Sequence, residues 1–223
     1  MAKKKKTKKL MMTPGMKLLL IILLIPASVM IYSAFLKSWF YHKEISEIEK
    51  IQEGFDIKIP AEYIPIYIAA GKKYDVPWTL LAAHHRVETK FSTTDTLISP
   101  VGAEGHMQFM PCTFVGWNHP SCNGLGKGNI PESEKTDPKV IEKYGGYGVD
   151  ANGDGKADPF DLEDAIFSAA NFLSRSGAKE GNIEKAVFQY NHSKEYVNKV
   201  LYYYKQYERI SPLLEKEVLA WFE

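Results

Sequence analysis

Residues 78–91 read WTLLAAHHRVETKF, and this stretch determines which fold class the sequence predicts. Pro77 precedes it, at a position that suits proline because the first backbone N–H of a helix has no partner. Apolar residues dominate the stretch, which predicts a largely buried helix. Glu88 stands near its end, one turn after His84. A carboxyl group at the rim of an apolar helix loses part of its hydration. Its pKa then rises, and it can act as a general acid.

Helical spacing of apolar residues continues through most of the remaining chain. Further helices are predicted over 38–58, 61–74, 106–117, 161–175, 182–190, 194–209 and 212–222. Residues 118–160 hold most of the Gly, Pro and Asn and are predicted to be loops. No alternating pattern of useful strand length occurs. With 223 residues, of which 45% are hydrophobic, the sequence predicts one mainly α domain with appendages.

The charge is segregated at the N-terminus. The first 36 residues contain seven lysines and no acidic residue, whereas the remaining 21 basic and 27 acidic residues give 37–223 a net charge of −6. Nineteen uncharged residues separate Lys17 from Lys37, which is nearly enough helix to cross a hydrocarbon core of about 30 Å. A basic tail before an apolar segment predicts a cytoplasmic N-terminus and an extracytoplasmic remainder. A cleaved signal peptide is one alternative for the apolar segment. Nucleic-acid binding is an alternative for the lysines, but the adjoining apolar segment makes membrane topology the simpler interpretation of them.

Two later segments place polar side chains at turns. Residues 99–111 read SPVGAEGHMQFMP, and their glycines permit the close approach of a ligand or of another backbone segment. Gln108 in this segment offers a neutral amide to a sugar or to a catalytic acid. Residues 189–193 read QYNHS, in which Tyr190 could direct its hydroxyl into a cleft. The plain alternatives are a Gly-Pro turn and a helix N-cap at Asn191 or Ser193.

Taken in order, these pieces resemble the lytic transglycosylases of the lysozyme-like superfamily. The family has a catalytic Glu followed by Ser or Thr, then a Gly-x-Met-Gln segment, then a Tyr-Asn pair. This sequence carries them as Glu88-Thr89, Gly105-His106-Met107-Gln108 and Tyr190-Asn191. SPVGAEGHMQFMP is similar to soluble transglycosylases, and GYGVDANGDGKADPFDLEDAIFSAANFL to the membrane-bound lytic transglycosylase B group. The resemblance covers about 58–207.

The resemblance implies a lysozyme-like fold and cleavage of the β-1,4 bond between N-acetylmuramic acid and N-acetylglucosamine in peptidoglycan. Glu88 would act first as acid and then as base, and a 1,6-anhydro sugar would form. Substrate-binding roles are expected for Ser99, Gln108, Tyr190, Asn191 and Tyr147. Trp117, Tyr144 and Tyr147 are candidates for stacking on sugar rings, or are structural aromatics.

The sequence departs from the family pattern at Glu104, where a small or neutral residue is usual, and at His106, where Leu or Tyr is usual. Glu104 is either a solvent-facing loop residue or a second carboxylate. A second carboxylate, or Asp95, would favour a lysozyme-like hydrolase that activates water. A non-catalytic wall-binding protein is the alternative outside the enzymes.

An acidic loop over residues 150–161 matches the start of the calcium-loop pattern D-x-[DN]-x-[DN]-G. Oxygen ligands of this kind favour Ca²⁺ over Zn²⁺. The twelfth position is Asp rather than Glu, so we expect modest affinity and a structural ion, with Asp158 able to compensate. Turns without metal are the alternative. The predicted ligands are Asp150, Asn152, Asp154, Lys156 through its carbonyl, and Asp161.

Cys112 and Cys122 are the only cysteines, and the predicted topology places both outside the cytoplasm. A bridge between them would contribute roughly 2–3 kcal/mol by loop entropy. Two free buried thiols are the alternative.

The predicted organisation therefore has five parts: a basic cytoplasmic tail (1–16), a transmembrane anchor (17–37), a stalk or packing helix (38–57), a catalytic domain (58–210) and a C-terminal helix (211–223). The predicted location is the cell membrane, spanned once, with the catalytic domain facing the wall. Peptidoglycan strands and the membrane are the predicted partners, and nucleic acid is not.

Overall fold

The computed structural model describes residues 14–55 and 57–219, and for residues 15–27 and 219 it describes the backbone alone. The chain divides into two compact units, Met1–Ser46 and Glu47–Glu223. Over the described ranges ten α-helices follow one another: α1 (Pro14–Glu53), α2 (Ile64–Tyr74), α3 (Trp78–Thr89), α4 (Pro111–Val115), α5 (Glu132–Lys135), α6 (Pro138–Tyr144), α7 (Leu162–Arg175), α8 (Ile183–Tyr190), α9 (Lys194–Glu208) and α10 (Ser211–Leu219). Single 3₁₀ turns lie at Ala61–Tyr63 and Ala178–Glu180.

The mainly α prediction is confirmed. Between residues 57 and 219 the β-type pairing is limited to two isolated antiparallel bridges, Ile98 with Glu104 and Glu104 with Phe109. These pairs close the turn of the SPVGAEGHMQFMP segment and do not extend into a sheet.

The predicted anchor over 17–37 falls within α1, and the side chains of its first eleven residues lie outside those that the structure describes. Among the residues whose side chains are described, no helix has the length and apolar character needed to cross a membrane. Residues 1–13 of the predicted basic tail likewise lie outside the described residues. Of the stalk predicted over 38–57, residues 38–53 lie in α1, which ends at Glu53.

Helix α3 is central to the second unit because it is buried on nearly every side. Nine of its twelve residues are buried, among them Leu80, Leu81 and His84. A helix of this kind must be covered all round, and α3 packs against α2, α7 and α9. The end of α3 that carries Glu88 is therefore held on several sides by other helices.

The helix predicted over 106–117 is wrong in its first half, because α4 begins only at Pro111. Gly105 and Gln108 both have positive φ, at 81° and 52°, and these values are incompatible with a right-handed helix. The backbone N–H of Glu104 donates to the carbonyl of Phe109 at 2.8 Å, and Phe109 N–H donates back at 2.9 Å. This reciprocal pair folds the segment into a tight turn.

Two short helices lie within the predicted loop region, α5 and α6. Helix α6 has Pro138 in its first turn, and the Asp137 side chain accepts from the Lys139 N–H at 2.8 Å. Both are favourable at a helix start. Both helices are too short for a helical pattern of apolar residues to be recognised in this Gly- and Pro-rich region.

Candidate active site

Glu88 lies in the last turn of α3 and is half-buried. The hydroxyl of Tyr196, on α9, donates to Oε1 of Glu88 at 2.5 Å. Loss of hydration raises the pKa of Glu88 from an ordinary 4.5 to about 7, and the hydrogen bond from Tyr196 opposes this rise without cancelling it. A carboxyl group with a pKa near 7 can both donate and accept a proton at neutral pH.

His84 supports Tyr196 from one turn below Glu88. Its Nδ1 lies 2.9 Å from the Tyr196 oxygen, and the ring is fully buried. Burial lowers the pKa of His84 to about 3, so the ring is neutral. Because the single hydroxyl proton of Tyr196 is directed to Glu88, Nδ1 of His84 must carry the proton of the ring and donate to Tyr196. Nε2 is then a bare acceptor, and no residue in the described part of the chain donates to it.

A group of rings in tilted and edge-to-face contact extends from His84. Tyr190 lies with its ring centroid 4.8 Å from that of His84 and 5.0 Å from that of Phe172, and Tyr147 packs on Phe172 at 4.6 Å. The Tyr190 hydroxyl donates to the carbonyl of Met107 at 2.8 Å and not to Glu88. The pKa of Tyr190 is raised well above 10, first by burial and then by the charge of Glu88. Tyr190 and Tyr147 therefore both pack on the ring of Phe172.

The Ser99 and Gln108 side chains hold the turn to which they belong. Ser99 Oγ accepts from the Ala103 N–H at 2.9 Å. Gln108 Nε2 donates to the carbonyls of Leu97 at 2.9 Å and Gly105 at 2.8 Å. The amide nitrogen of Gln108 is thus engaged, and its carbonyl oxygen is the part of that side chain that remains for a ligand.

The turn after Glu88 is attached to the Gly105–Gln108 segment. Thr89 Oγ1 donates to the carbonyl of His106 at 2.8 Å and accepts from the Ser92 N–H at 3.1 Å. Lys90, Phe91 and Ser92 all have positive φ, between 51° and 65°. Left-handed conformation in three successive non-glycine residues is costly and requires support from the surroundings.

A chain of hydrogen bonds supplies that support. His106 Nε2 lies 2.8 Å from the Phe160 carbonyl and must donate to it, so His106 Nδ1 accepts from the Ser92 hydroxyl at 2.6 Å. The Ser92 oxygen accepts from His85 Nε2 at 2.7 Å, and His85 Nδ1 accepts from the Tyr67 hydroxyl at 2.6 Å. Burial lowers the pKa of His85 to about 3, in agreement with its neutral role. The unusual His106 is thus part of the framework that joins α2, α3 and the Gly105 turn.

A family model matches part of the chain. Residues 141–199 match the family model described as the transglycosylase SLT domain. The match supports a lytic transglycosylase of the lysozyme-like superfamily. It includes Tyr147, Tyr190 and Tyr196, whereas Glu88 lies before it. No curated protein matches the chain, and no solved structure matches it.

Asn191 of the transglycosylase Tyr-Asn pair ends α8. Its backbone N–H donates to the carbonyl of Val187 at 3.2 Å, and the residue is exposed. The N-cap of α9 is Ser193, whose Oγ accepts from the Tyr196 N–H at 3.3 Å. Among the other stacking candidates, Trp117 is exposed, whereas the ring of Tyr144 packs on His119 with centroids 4.8 Å apart.

Glu104 is neither solvent-facing nor free to act as a second carboxylate. Its Oε1 accepts a hydrogen bond from Nζ of Lys135 at 2.9 Å, and its side chain is 17% exposed. Lys135 also pairs with Glu132 at 2.9 Å. The departure from the family pattern at this position therefore serves an ion pair between the Gly105 turn and α5.

The acidic loop is stabilised by its own backbone amides. Asp150 accepts from the N–H groups of Gly153 and Gly155, and Asp161 caps α7 by accepting from Glu163 and Asp164. Asn152 and Asp154 each accept from the N–H two residues further on, at 2.9 Å, and the Asp154 bond comes from Lys156. The buried carboxylate of the region is Asp164, which accepts from Ala151, Asn152 and Asp158. Across the described residues, no group of three or more His, Cys, Asp or Glu side chains gathers as a metal site would require.

The predicted disulfide is confirmed. Cys112 in α4 and Cys122 in the following loop are bonded, and neither thiol is free. The bridge fixes the start of the loop that leads to α5.

Sequence reasoning missed Tyr196 and did not assign a role to His84. Tyr196 lies 108 residues after Glu88, and it has no motif of its own. The pattern of α9, with Val197, Val200 and Tyr207 buried, indicates which side of the helix faces the core. It does not indicate that this side meets α3.

Proposed function

We propose that this protein cleaves the β-1,4 bond between N-acetylmuramic acid and N-acetylglucosamine in peptidoglycan, with Glu88 as acid and then as base. The observation that supports this most strongly is the environment of Glu88. It lies in the last turn of a buried helix, has a pKa near 7, and is held through one oxygen by a tyrosine hydroxyl.

In the first step, protonated Glu88 gives its proton to the glycosidic oxygen, and the bond from that oxygen to C1 of the muramyl sugar breaks. In the second step, the 6-hydroxyl of the same sugar bonds to C1, and Glu88 takes the hydroxyl proton. The product carries a 1,6-anhydro bond, and Glu88 is protonated again. The acetamido group of the substrate can stabilise C1 between the steps, so one carboxyl group suffices.

Tyr196 would assist Glu88 both when Glu88 is protonated and when it is ionised. Its hydrogen bond fixes Oε1 of Glu88 and leaves Oε2 to face the substrate. After the first step the same bond stabilises the carboxylate, since hydrogen bonds to charged acceptors are the stronger ones. We propose that Tyr196 is a positioning residue and that His84 orients its hydroxyl.

The sequence-predicted binding residues keep their proposed roles around this carboxyl group. The carbonyl oxygen of Gln108 and the exposed Asn191 are available to a sugar. Tyr147 would offer its ring edge and hydroxyl, because Arg175 lies 4.3 Å over the ring and Phe172 packs against it. Ser99 and Tyr190 act mainly through the backbone groups that they hold, the Ala103 N–H and the Met107 carbonyl.

The products of peptidoglycan digestion test this proposal. We expect the purified full-length protein to release 1,6-anhydro-muramyl fragments, detected by mass spectrometry, and Glu88→Gln to release none while still binding glycan strands. Reducing-end fragments without anhydro sugars would instead indicate a hydrolase. Undiminished turnover by Glu88→Gln would exclude Glu88 as the catalyst.

We also propose that the acidic loop binds a structural Ca²⁺ through Asp150, Asn152, Asp154, the Lys156 carbonyl and Asp161. Support comes from the sequence pattern. The side chains of Asp150, Asp154 and Asp161 do not gather in this structure, so the loop would have to close around the ion. Calcium at about 100 times its dissociation constant would add about 2.7 kcal/mol of stability. A melting temperature that responds to neither EDTA nor added Ca²⁺ would reject the site.

We further propose that residues 17–37 anchor the protein in the cytoplasmic membrane with residues 38–223 on the outer side. The charge segregation of the sequence supports this proposal. Protease added to intact spheroplasts should then digest the C-terminal domain. Full protection would contradict this topology.

A further inference from the structure

A small cavity lined by four cationic side chains lies between α3 and α9. Its volume is about 330 Å³. The four cations are Lys58, Arg86, Lys90 and Lys199. Val87, Phe91 and Tyr203 complete the lining, so apolar and aromatic surfaces separate the charges. No carboxylate is among the lining residues, although the domain as a whole is acidic.

None of these four cations forms an ion pair with an acidic residue in the described part of the chain. Four like charges around one small cavity repel one another. Lys58, Lys90 and Lys199 are exposed, whereas Arg86 is half-buried. An anion bound in the cavity would relieve the repulsion among the four cations.

Arg86 is the most fixed member of the cluster. Its guanidinium carbon lies 4.4 Å from the ring centroid of Tyr203, and Nη1 reaches only two neutral oxygens, the Lys58 carbonyl at 3.3 Å and the Tyr207 hydroxyl at 3.5 Å. Stacking on a ring orients the planar guanidinium while its remaining N–H groups stay available. A guanidinium held in this way suits the two oxygens of a carboxylate or phosphate.

The cavity is formed by the same two helices that carry Glu88 and Tyr196. Arg86 and Val87 immediately precede Glu88 on α3, and Lys199 lies one turn after Tyr196 on α9. An adjoining cavity of about 490 Å³ shares Lys58, Lys90 and Phe91. Its lining also includes Glu49, Glu53 and Glu62, so the adjoining cavity carries negative charge as well as Lys58 and Lys90.

We propose that this cavity, formed by the two helices that also carry Glu88 and Tyr196, binds an oxyanionic group of the wall polymer. The proposal rests on the proposed function. Peptidoglycan carries such groups in two places, the carboxylates of its stem peptides and the phosphates of polymers attached to its glycan. Either group would pair with the guanidinium of Arg86 and the ammonium groups around it, and would select decorated strands over bare ones.

Binding to glycan strands tests the proposal without requiring turnover. The full-length protein carrying Glu88→Gln would be titrated with intact strands, with strands whose stem peptides an amidase has removed, and with strands whose phosphates hydrofluoric acid has removed. The test variant adds Lys90→Gln and Lys199→Gln. The matched control adds Lys185→Gln and Lys194→Gln, two lysines that line a separate cavity between α8 and α9. Both variants change the net charge equally.

We expect intact strands to bind roughly tenfold more tightly than strands that lack the recognised group, and added salt to weaken this preference. The test variant should lose the preference and the control should keep it. A preference lost on amidase treatment identifies the carboxylates, and one lost on hydrofluoric acid treatment identifies the phosphates. Equal binding of all three preparations by the parent, or equal loss in both variants, would overturn the proposal. Failure of the proposed function would appear separately, as an absence of cleavage products from the protein that retains Glu88.

Discussion

Replacement of Tyr196 by Phe should move the pH dependence of peptidoglycan cleavage to higher pH. In the proposed mechanism Glu88 must be protonated to act as the acid, so activity should fall as the pH rises through its pKa, which is about 7. The Tyr196 hydrogen bond lowers the pKa of Glu88 because it favours the charged form. Its removal leaves desolvation unopposed, and the pKa of Glu88 should rise.

The size of the change follows from the difference between two hydrogen bonds. A hydrogen bond to a charged acceptor contributes about 1.5–3 kcal/mol, and one to a neutral group about 0.5–1.5 kcal/mol. The protonated carboxyl loses the weaker bond and the carboxylate the stronger one, so the difference between the midpoints of these ranges is about 1.25 kcal/mol. Because one pKa unit corresponds to about 1.36 kcal/mol, the pKa of Glu88 should rise by about one unit.

Tyr196→Phe should also lower stability, because His84 Nδ1–H would lose its acceptor in a fully buried position. Such a loss costs about 1–3 kcal/mol. The assay is therefore kcat/KM for release of soluble fragments from pH 5 to 10, at a temperature where urea titration shows both proteins folded. Tyr202→Phe is the control, since this residue lies on the same helix and its side chain is 59% exposed.

An alkaline limb of kcat/KM that stays in place or moves to lower pH in folded Tyr196→Phe would refute this account of Glu88. It would mean either that another group limits activity at high pH or that Tyr196 does not bond to the carboxylate. An equal displacement in Tyr202→Phe would assign the effect to α9 as a whole.

Three further changes test the electrostatics and the packing. Glu88→Gln should stabilise the protein at pH 8 by up to about 3 kcal/mol in urea titrations and have little effect at pH 4. The reason is that a carboxyl group with a raised pKa lowers the stability of the folded state progressively between pH 4.5 and about 7. Equal effects at both pH values would contradict the burial of Glu88. Cys112→Ala should lower the free energy of unfolding by roughly 2–3 kcal/mol, and unchanged stability would show that the bridge constrains little. Gly105→Ala should be far more destabilising than Gly181→Ala: both glycines have φ near 82°, but a Cβ at Gly105 would lie 1.9 Å from the Pro159 carbonyl oxygen and one at Gly181 has no atom within 4 Å. Similar melting temperatures for the two variants would contradict this close contact.

The sequence predicts helix α3 and the position of Glu88 on it because both depend on local periodicity. The geometry around the carboxyl group depends on contacts that are distant in sequence. Tyr196 reaches Glu88 only because α9 packs against α3, and no local pattern specifies that pairing. The error over 106–110 has a different cause. The apolar residues Met107, Phe109 and Met110 have a spacing that also occurs in helices, but the positive φ at Gln108 folds this segment into a turn.

The neutral state of His84 is a requirement of the proposed chemistry and not a by-product of burial. A protonated His84 would place a positive charge one hydroxyl away from Glu88, and that charge would favour the carboxylate and lower the pKa of Glu88. Glu88 would then be ionised at neutral pH and could not act as the acid. Full burial in α3 holds the pKa of His84 at about 3, so Tyr196 receives a neutral donor over the whole working range. Desolvation along one helix therefore keeps His84 uncharged and raises the pKa of Glu88 to about 7, so that a substantial fraction of Glu88 is protonated at neutral pH.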